Sequence, residues 1–461
     1  YDIKFAQLIS VISNILTEQK KNNQSRLNIL FLYNAHSVYI PTVNEYLENF
    51  AELSRHRFFF ANAVGDAPCN YSMGKFDVIF VHYSVRLCYE DSISPFVVEE
   101  LKKSGSFKVL FIQDEYEHTE CARRWMDKIG FHAIFTSIPR DQAKIVYPPE
   151  RFRSTELIPT LTGFVPRILE YGPIPALASR PIVLGYRGRK LHFRYGRLAY
   201  EKYQIGVRMR EICQKTGVVC DIEWEDDKRI YDDGWYTFLR SCRATLGSES
   251  GSNVFDFDGV LKNIDLEEKN TDLSFEQFHE KFLGSLDGSI KMNQISPRIF
   301  EAIACGTALV LFEGEYSGIV KPGLHYIPLK KDFSNAMEVL EQLQDISALE
   351  KMTQRAYQDI IVSELYSHKK FIKDIDDFLD ERIHCSKPWF PLAVVLTEIR
   401  RDAPSAPKLS VRYKQTGDAT SKPVLYVVNE VKEDNLGVEE GSLKVKEYSL
   451  WMKSIKKFTR H

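Results

Sequence analysis

The sequence predicts an α/β fold built from two doubly wound domains that face each other across a cleft. Two series of short apolar strands alternate with helical segments, the first from residue 27 onward and the second from residue 182 onward. Strands that alternate with helices form parallel sheets with right-handed crossovers. A stretch rich in proline, 165–181, separates the two series and indicates a linker. The length of 461 residues also exceeds what one hydrophobic core usually serves.

The first series follows a predicted N-terminal helix. That helix is indicated by apolar residues at helical spacing, among them Ile3, Phe5, Leu8, Ile12 and Leu16. Six strands are predicted, at Leu27–Tyr33, Arg57–Ala61, Val78–His82, Val109–Gln113, Ala133–Ser137 and Glu156–Ile158. Helices are predicted between several of them, at Val43–Leu53, Val97–Lys103 and Glu120–Ile129.

The second series predicts strands at Ile182–Tyr186, Val219–Trp224, Ala244–Leu246, Ala308–Phe312 and His325–Pro328. Its helices are predicted over Tyr200–Thr216, from Pro297, from Ala336 and over Leu349–Ile383. The remaining chain contains several prolines and no such alternation, so we predict a loosely ordered appendage with a strand in KPVLYVV. The predicted division is an N-terminal helix (1–26), an N-terminal domain (27–175), a C-terminal domain (176–383) and the appendage (384–461).

The composition limits the expected partners. Lys plus Arg (61) nearly balances Asp plus Glu (63), so the overall charge gives no reason to expect a nucleic-acid partner. The eight cysteines include no C-x-x-C pair. Neither a zinc site nor a disulfide framework is therefore expected, and reduced thiols fit a cytoplasmic protein. No uncharged apolar run is long enough to cross a bilayer, and we expect no signal peptide.

The most informative segment is Asn293–Gly314, NQISPRIFEAIACGTALVLFEG. Ser296 is suited to cap a helix, and Pro297 suits the first helical position because the amide hydrogen there would be unpaired anyway. Gly306 stands where a left-handed residue ends a helix, and ALVLF follows as a strand. The predicted unit is thus a loop, a helix, a glycine and a strand.

The amino end of this helix is a candidate anion site. Its free N–H groups and its positive dipole, directed into the cleft, suit a diphosphate, and Arg298 adds positive charge there. Glu301 lies one turn further on, where its carboxylate could accept hydrogen bonds from both hydroxyls of a ribose. The same spacing fits a Glu301 that caps the helix or forms a local salt bridge, and both interpretations stay open.

The string RIFEAIACGTALV resembles the donor-site helix of group 1 and CgeB-like glycosyltransferases, which have the GT-B fold of two facing Rossmann-like domains. The resemblance implies that Glu301 binds the ribose of a nucleotide-sugar donor and that the helix start binds its phosphates. It also implies a sugar transfer that uses no cofactor besides the donor and no bound metal. Retaining members often carry a second glutamate eight residues upstream, near the sugar. Asn293 occupies that position here, so the stereochemical course stays open.

A basic loop supplies further candidate donor ligands. The loop GYRGRKL follows the strand Ile182–Tyr186 and resembles the diphosphate clamp of the same family. Its cations are Arg187, Arg189 and Lys190, with Arg197 and Lys202 as weaker candidates further on. The planar fork of arginine suits phosphate oxygens, and a solvated basic loop is the alternative interpretation.

The segment TLGSESGSN follows the strand Ala244–Leu246 and offers small polar groups beside an open backbone. Ser248, Ser250 and Asn253 are candidate ligands for phosphate or sugar hydroxyls, and Glu249 could face a sugar. An ordinary turn rich in glycine and serine is an equally simple interpretation.

The string VFDFDGVL is similar to the first motif of haloacid-dehalogenase phosphatases. In that family the first aspartate, here Asp256, is the nucleophile, and the second, here Asp258, is the acid/base. Only Gly-Ser-Asn-Val precedes the motif instead of a buried strand, and no convincing later partners follow. A turn that bears acidic residues is therefore preferred, and a phosphatase is kept as an alternative, as is a non-catalytic nucleotide-binding subunit.

Loops at the strand ends of the first domain are expected to meet the acceptor. The candidates are Asn34, His36, Ser37, His82, Asp114, Glu115 and His118. An inverting transferase needs one general base near the acceptor hydroxyl, for which Asp114 or Glu115 is the first choice and His82 the second. Each is equally compatible with a structural role.

The resulting hypothesis is a metal-independent glycosyltransferase that moves a sugar from a nucleotide donor to a glycan, glycoconjugate or lipid-linked acceptor. By resemblance, bacterial surface polysaccharide or glycoconjugate assembly is the expected setting. UDP sugars are the first expectation, and GDP and CMP sugars stay open. The tail 443–461 predicts a basic amphipathic helix that could lie on the inner face of the plasma membrane or dock on a domain instead.

Overall fold

The computed structural model describes residues 26–69, 71–166, 173–264, 268, 272–383, 410–413 and 425–428. The predicted N-terminal helix and the predicted basic helix of 443–461 lie outside the described residues. In the described part of the chain, no helix is both long enough and apolar enough to cross a membrane.

The described residues of the N-terminal domain form six strands and four α-helices. They are β1 (Asn28–Tyr33), α1 (Pro41–Leu53), β2 (Arg57–Asn62), β3 (Val78–Val81), α2 (Pro95–Lys103), β4 (Phe107–Ile112), α3 (Thr119–Ile129), β5 (Ala133–Thr136), α4 (Ala143–Val146) and β6 (Glu156–Pro159). The strands form one sheet in the order β2-β1-β3-β4-β5-β6, and every neighbouring pair is parallel.

The core of this domain is rich in aromatic side chains. All six residues of β1 are buried, as expected for a central parallel strand covered on both faces. The ring of Phe31 lies 5.3 Å from that of Phe50 on α1 and 5.3 Å from that of Phe80 on β3, in both cases edge to face. These contacts join α1 to the middle of the sheet and hold the carboxyl ends of its strands in place.

The C-terminal domain repeats this plan. It contains β7 (Ile182–Arg187), α5 (Gly196–Thr216), β8 (Cys220–Glu223), α6 (Asp232–Ser241), β9 (Cys242–Gly247), α7 (Phe275–Phe278), α8 (Pro297–Ala304), β10 (Ala308–Phe312), β11 (Ile327–Leu329), α9 (Ala336–Gln342), α10 (Ile346–Ala356) and α11 (His368–Arg382). Its five strands form a parallel sheet in the order β11-β10-β9-β7-β8.

The two sheets confirm the predicted fold class, two facing doubly wound domains of the GT-B type. In each sheet the first strand lies between the second and the third, so the strand order reverses between β1 and β3 and between β7 and β9. Such reversal points open a crevice at the carboxyl ends of the strands. A predicted strand in the appendage is also present, because β12 (Ser410–Tyr413) and β13 (Leu425–Val428) form an antiparallel pair.

The predicted helical stretch Leu349–Ile383 is divided in the structure. α10 continues into a π-helical turn, Tyr357–Val362, and α11 starts afresh at His368, where the Ser367 side chain accepts a hydrogen bond from the amide of Lys370.

The last helix returns to the N-terminal domain. Ile372, Ile375 and Leu379 belong to the N-terminal core. The Asp376 carboxylate accepts hydrogen bonds from the Ser54 hydroxyl (2.6 Å) and the Arg55 amide (2.9 Å). The predicted C-terminal range 176–383 thus includes a helix whose packing partners lie in the other domain.

A second segment that packs on the N-terminal domain was not predicted from the sequence. The segment 254–261 leaves the C-terminal domain and pairs with the loop before α3. The Asp256 amide donates to the Tyr116 carbonyl (2.8 Å), and the Thr119 amide donates to the Asp256 carbonyl (3.0 Å). Phe255 is buried in the N-terminal core. The two domains are therefore joined by this docked segment as well as by the linker and α11.

Candidate functional site

A cavity of about 320 Å³ opens at the carboxyl ends of β7 and β9, at the point where the strand order reverses. Its walls include the loop after β7, parts of α5, α6, β9 and β10, the start of α8 and one residue of the opposite domain. The lining includes Arg187, Arg189, Lys202, Trp235, Ser248, Ser296, Arg298 and, from the N-terminal domain, Tyr116. The cavity thus lies in the cleft, where a doubly wound fold places its ligand.

The unit predicted around the start of α8 is present. Pro297 is the first residue of the helix, Ser296 precedes it, and Gly306 follows at φ 61°, the left-handed region in which glycine is favoured. The Ser296 side chain makes no capping hydrogen bond. Its hydroxyl and the helix start therefore face the cavity with unused hydrogen-bonding capacity.

Lys202, on α5, is a cation of the cavity whose pKa is shifted by its surroundings. Its ammonium donates to the Ser250 hydroxyl at 3.3 Å. Burial lowers the pKa of Lys202 to about 8; the negative charge of Asp114 opposes that shift, and the positive charge of Arg298 adds to it. The lysine therefore stays mostly protonated at neutral pH, but only by a narrow margin.

The three cations of the basic loop have different surroundings. The guanidinium of Arg187 forms an ion pair with Asp221 (2.8 Å) and lies 4.2 Å from the ring of Phe238, so it is held against the domain. Arg189 is exposed and lines the cavity. Lys190 is exposed, and its ammonium lies 5.5 Å from the ring of Tyr203. Arg187 and Arg189 thus both line the cavity, Arg187 held in place by its ion pair, whereas Lys190 is not a lining residue.

Glu301 has a partner that the sequence did not indicate. The indole N–H of Trp235 donates to one oxygen of Glu301 at 2.6 Å. Burial raises the pKa of Glu301, while this hydrogen bond and the positive charge of Arg298 oppose the shift. Arg298 is exposed; its guanidinium lies 5.0 Å from the Trp235 ring and donates to the carbonyl of Arg187.

The polar residues after β9 divide into two groups. Ser248 lines the cavity, and the hydroxyl of Ser250 faces Lys202. By contrast, Asn253 donates to Asn293 (3.1 Å), and Asn293 donates to Glu249 (2.6 Å).

Glu249 is the buried end of this chain of hydrogen bonds. Its carboxylate also accepts hydrogen bonds from the backbone amides of Glu315 (2.8 Å) and Tyr316 (3.1 Å). This network ties the loop after β10 to the loop before α8, and that is the role in which the structure places Asn253 and Asn293.

Two of the three predicted base candidates do not reach the cleft. His82 is fully buried, its Nδ1 lies 2.8 Å from the Ser84 hydroxyl, and burial lowers its pKa to about 3. Glu115 is buried too; it accepts a hydrogen bond from Thr136, and burial raises its pKa to about 7. Both side chains are buried inside the N-terminal domain, where desolvation disfavours their charged forms, and neither lies at the cleft surface where the base was expected.

Asp114 is the base candidate that the structure leaves at the surface of the cleft. It is exposed at φ 61°, and its carboxylate accepts a hydrogen bond from the Tyr116 hydroxyl at 2.8 Å. Its charge is close enough to oppose the lowering of the Lys202 pKa. The left-handed backbone turns the side chain of Asp114 outward next to the inward-facing Glu115.

The other acceptor-side candidates lie at the strand ends. Asn34 accepts a hydrogen bond from the amide of His36 (2.9 Å) and starts a short turn that contains His36 and Ser37. His118, at φ 43°, lines a separate cavity of about 290 Å³ together with Tyr89 and Asp258.

Glu117 was missed by sequence reasoning although it stands in the same run as Asp114 and His118. It is buried and accepts hydrogen bonds from Arg86 (2.6 Å) and Tyr89 (2.5 Å) of its own domain. From the opposite domain it accepts hydrogen bonds from Tyr195 and, at 3.5 Å, from Arg194. Only the packing of the two domains identifies it as an interdomain contact.

The phosphatase alternative is not favoured by the geometry. Both oxygens of Asp256 are occupied by the backbone amides of Val260 (2.9 Å) and Leu261 (3.1 Å), and the residue is 4% exposed. No strand ends directly before it, since β9 stops at Gly247, whereas a phosphatase nucleophile stands at a strand end. Within the described residues, no group of three or more His, Cys, Asp or Glu side chains is placed to hold a metal ion.

Comparison with known proteins finds no matching family model and no matching curated protein. Among solved structures, Anabaena HepE in complex with UDP matches with a TM-score of 0.44 at 11% identity, over 77% of this chain and 100% of that one. T4 phage BGT in complex with its UDP-glucose substrate matches with a TM-score of 0.42 at 10% identity, over 78% and 100%. Sucrose-phosphate synthase from Thermosynechococcus elongatus matches with a TM-score of 0.40 at 13% identity, over 77% and 99%.

The fold and the cavity together define the architecture: two facing doubly wound domains with a cation-lined cavity in the cleft. The chain is similar in overall layout to the three proteins above.

Proposed function

We propose that this protein is a glycosyltransferase that takes a sugar from a nucleotide-sugar donor bound in the cleft cavity. The observation that carries the proposal is the convergence of Lys202, Arg189, Arg298 and the start of α8 on one cavity at the strand ends. A helix start and several cations in a partly desolvated cavity suit a diphosphate. Ser296 and Ser248 add hydroxyl donors.

Each group has a role in this proposal. Arg298 exchanges its hydrogen bond to the Arg187 carbonyl for one to a phosphate oxygen. Glu301 accepts hydrogen bonds from the ribose, as the family resemblance implies. In the reaction an acceptor hydroxyl attacks the anomeric carbon of the donor sugar, and the bond from that carbon to the diphosphate breaks. The cations stabilise the charge that grows on the leaving diphosphate.

Asp114 is the proposed general base. It is exposed at the end of β4, and its charge interacts with that of Lys202 across the cleft. A carboxylate in this place can take the proton of the acceptor hydroxyl as the new bond forms. Because no second carboxylate is placed near the sugar by the resemblance, we favour one base and direct displacement.

The finer assignments rest on the resemblance and on the sequence. We propose a UDP sugar as the first donor to test and a glycan, glycoconjugate or lipid-linked acceptor in bacterial surface polysaccharide assembly. We further propose a cytoplasmic enzyme that needs neither a metal nor a further cofactor, with peripheral membrane contact through 443–461. A non-catalytic nucleotide-binding subunit is the second candidate, because the same cavity could bind a nucleotide without transfer.

The test is a thermal-shift panel of UDP, GDP, CMP and ADP with their sugars. At least one nucleotide should raise the unfolding temperature, and Glu301→Ala should abolish that rise while the fold stays intact. Glu338→Ala, a substitution of an exposed glutamate on α9, is the matched control and should keep the rise.

Each outcome of the panel has a meaning. Stabilisation by none of the nucleotides would sink the proposal. An unchanged rise in a folded Glu301→Ala variant would remove the donor assignment of Glu301. Nucleotide binding without transfer or donor hydrolysis would favour the non-catalytic subunit.

A further inference from the structure

Four side chains form a stack along one wall of the cavity. The guanidinium of Arg298 lies 5.0 Å from the ring of Trp235, and that ring stacks on Phe238 with centroids 5.7 Å apart and planes 25° apart. The guanidinium of Arg187 lies 4.2 Å from the ring of Phe238. We call Arg298, Trp235, Phe238 and Arg187 the cation–aromatic stack. Alternation of cations with aromatic faces is favourable for each contact.

The cation–aromatic stack is fixed by its contacts with α6 and β7. Trp235 and Phe238 are three residues apart on α6 and so share a face of that helix. Phe238 is 6% exposed, and a Cβ at Gly185 of β7 would lie 2.9 Å from its ring. The absence of a side chain at Gly185 therefore gives Phe238 its place, and the ion pair of Arg187 with Asp221 closes the stack. Trp235 is held in one orientation because it packs on Phe238, which is itself fixed.

From this geometry we propose that Trp235 is a positioning residue for Glu301 that sets how strongly the site prefers a ribonucleotide over a deoxyribonucleotide. The proposal rests on the proposed function and deepens it. The indole N–H donates to Oε2 of Glu301 at 2.6 Å. It fixes one carboxylate oxygen, and no described residue donates to the other, Oε1, which in this proposal accepts the ribose hydroxyls.

The chemistry of the two groups explains why such a contact matters. An ionised carboxylate only accepts hydrogen bonds, whereas an indole only donates one, so the pair has a single possible polarity. The contact also helps Glu301 keep its charge, because burial raises the pKa of this carboxyl and the indole opposes the shift. Without the indole N–H, Glu301 should take up a proton at a higher pH and lose its fixed orientation. Ribose hydroxyls would then lose their acceptor, whereas a 2′-deoxyribose, which lacks one of these hydroxyls, would lose fewer hydrogen bonds.

The test uses Trp235→Phe, which keeps an aromatic ring in the stack and removes the N–H donor together with part of the indole ring. The matched control is Trp224→Phe. The Trp224 ring lies 3.7 Å from the Arg210 guanidinium and 5.5 Å from the Tyr203 ring, and Trp224 is not a lining residue of the cavity. The measurement is calorimetric binding, from about pH 5 to pH 8, of whichever of UDP, GDP, ADP and CMP binds most tightly. Its 2′-deoxy counterpart is titrated in parallel.

In Trp235→Phe, binding of the ribonucleotide should weaken by about tenfold, and binding of the deoxyribonucleotide should change little. The acid limb of ribonucleotide binding should also move to higher pH. Glu301→Gln should show the same loss of discrimination, and adding Trp235→Phe to it should have little further effect, because both changes remove one interaction. Trp224→Phe should resemble the unchanged protein.

The outcomes separate this inference from the proposed function. Equal weakening for the ribonucleotide and the deoxyribonucleotide, with an unmoved acid limb, would make Trp235 a simple wall of the cavity and overturn the inference. Undisturbed binding in a folded Trp235→Phe variant would overturn it as well, and in both cases nucleotide binding itself would stand. Binding of none of the four nucleotides would contradict the proposed function and, with it, the inference.

Discussion

At the scale of single residues, burial sets the charge available in the cavity. Lys202 keeps its proton only up to about pH 8, because the cost of desolvating its ammonium outweighs the attraction of Asp114. Arg189 and Arg298 line the same cavity and contribute two guanidinium groups to it. A diphosphate in the cavity therefore meets the titrating ammonium of Lys202 together with these arginines.

Nucleotide affinity should therefore depend on pH through Lys202. The pKa of this lysine is below its ordinary value, so the protonated form that attracts a phosphate predominates below about pH 8 and is lost as the pH rises through that value. Calorimetric titrations from about pH 6.5 to pH 9.5 should show weakening across this interval. Lys202→Arg, which keeps its charge, should remove the dependence. An equally steep fall in that variant would assign the titration to another group.

At the scale of elements, the docked segment 254–261 shows how a motif can acquire a structural role. The Asp256 carboxylate accepts hydrogen bonds from the backbone amides of Val260 and Leu261 and so closes a turn. The backbone of Asp256 forms hydrogen bonds with the loop before α3. Gly259 lies at φ 76°, and a Cβ there would approach His118 to 2.4 Å. The string thus supplies the turn and the close approach that let the segment dock on the other domain.

Asp256→Ala should lower the free energy of unfolding by about 1–3 kcal/mol, because it leaves two amide hydrogens without an acceptor. Asp258→Ala, at an exposed position, should have little effect and serves as the control. Chemical denaturation measures both. The protein should also show no turnover of p-nitrophenyl phosphate with magnesium. Robust turnover that disappears in Asp256→Asn would restore the phosphatase interpretation.

At the scale of the whole molecule, the cleft is shaped by contacts that cross between domains. Glu117 gathers donors from both sides, and α11 and the docked segment each return to the N-terminal core. Burial alone would raise the pKa of Glu117, but hydrogen bonds from Tyr195 and Tyr89 and the charges of Arg86 and Arg194 lower it below its ordinary value. The carboxylate is therefore held ionised between the domains.

Glu117→Gln should lower the unfolding temperature at neutral pH, because four donors lose a charged acceptor. A carboxyl with a lowered pKa contributes stability above its unfolded pKa of about 4.3, and this contribution disappears as the pH falls through the folded value. The difference in unfolding temperature between the unchanged protein and Glu117→Gln should accordingly become smaller at acidic pH. Glu90→Gln is the control, since the ion pair of Glu90 with Arg124 is exposed and worth little. A difference in unfolding temperature that does not change with pH would show that the charge of Glu117 does not stabilise the fold.

The predicted basic helix of 443–461 belongs to the same scale, although it lies outside the described residues. Its lysines and Arg460 outnumber Glu447, and each basic residue near an anionic bilayer contributes about 1 kcal/mol. The full chain should therefore sediment with anionic liposomes at low salt and much less at high salt, and a chain shortened to end at Gly437 should stay in the supernatant. Equal sedimentation of both chains would leave docking on a domain as the role of the tail.

The sequence by itself determined the two series of strands, the linker between them and the unit from Ser296 to Phe312. These features follow from the spacing of apolar residues, prolines and glycines over a few turns of chain, which is local information. Only the tertiary structure decided which polar groups face the cavity. Arg187 is held in the cavity wall by Asp221, 34 positions further along the chain, and Glu301 is held by Trp235, 66 positions before it. Likewise Asp114 faces the cleft and Glu115 the core, because burial of a carboxylate depends on the partners that folding brings to it and not on its neighbours in sequence.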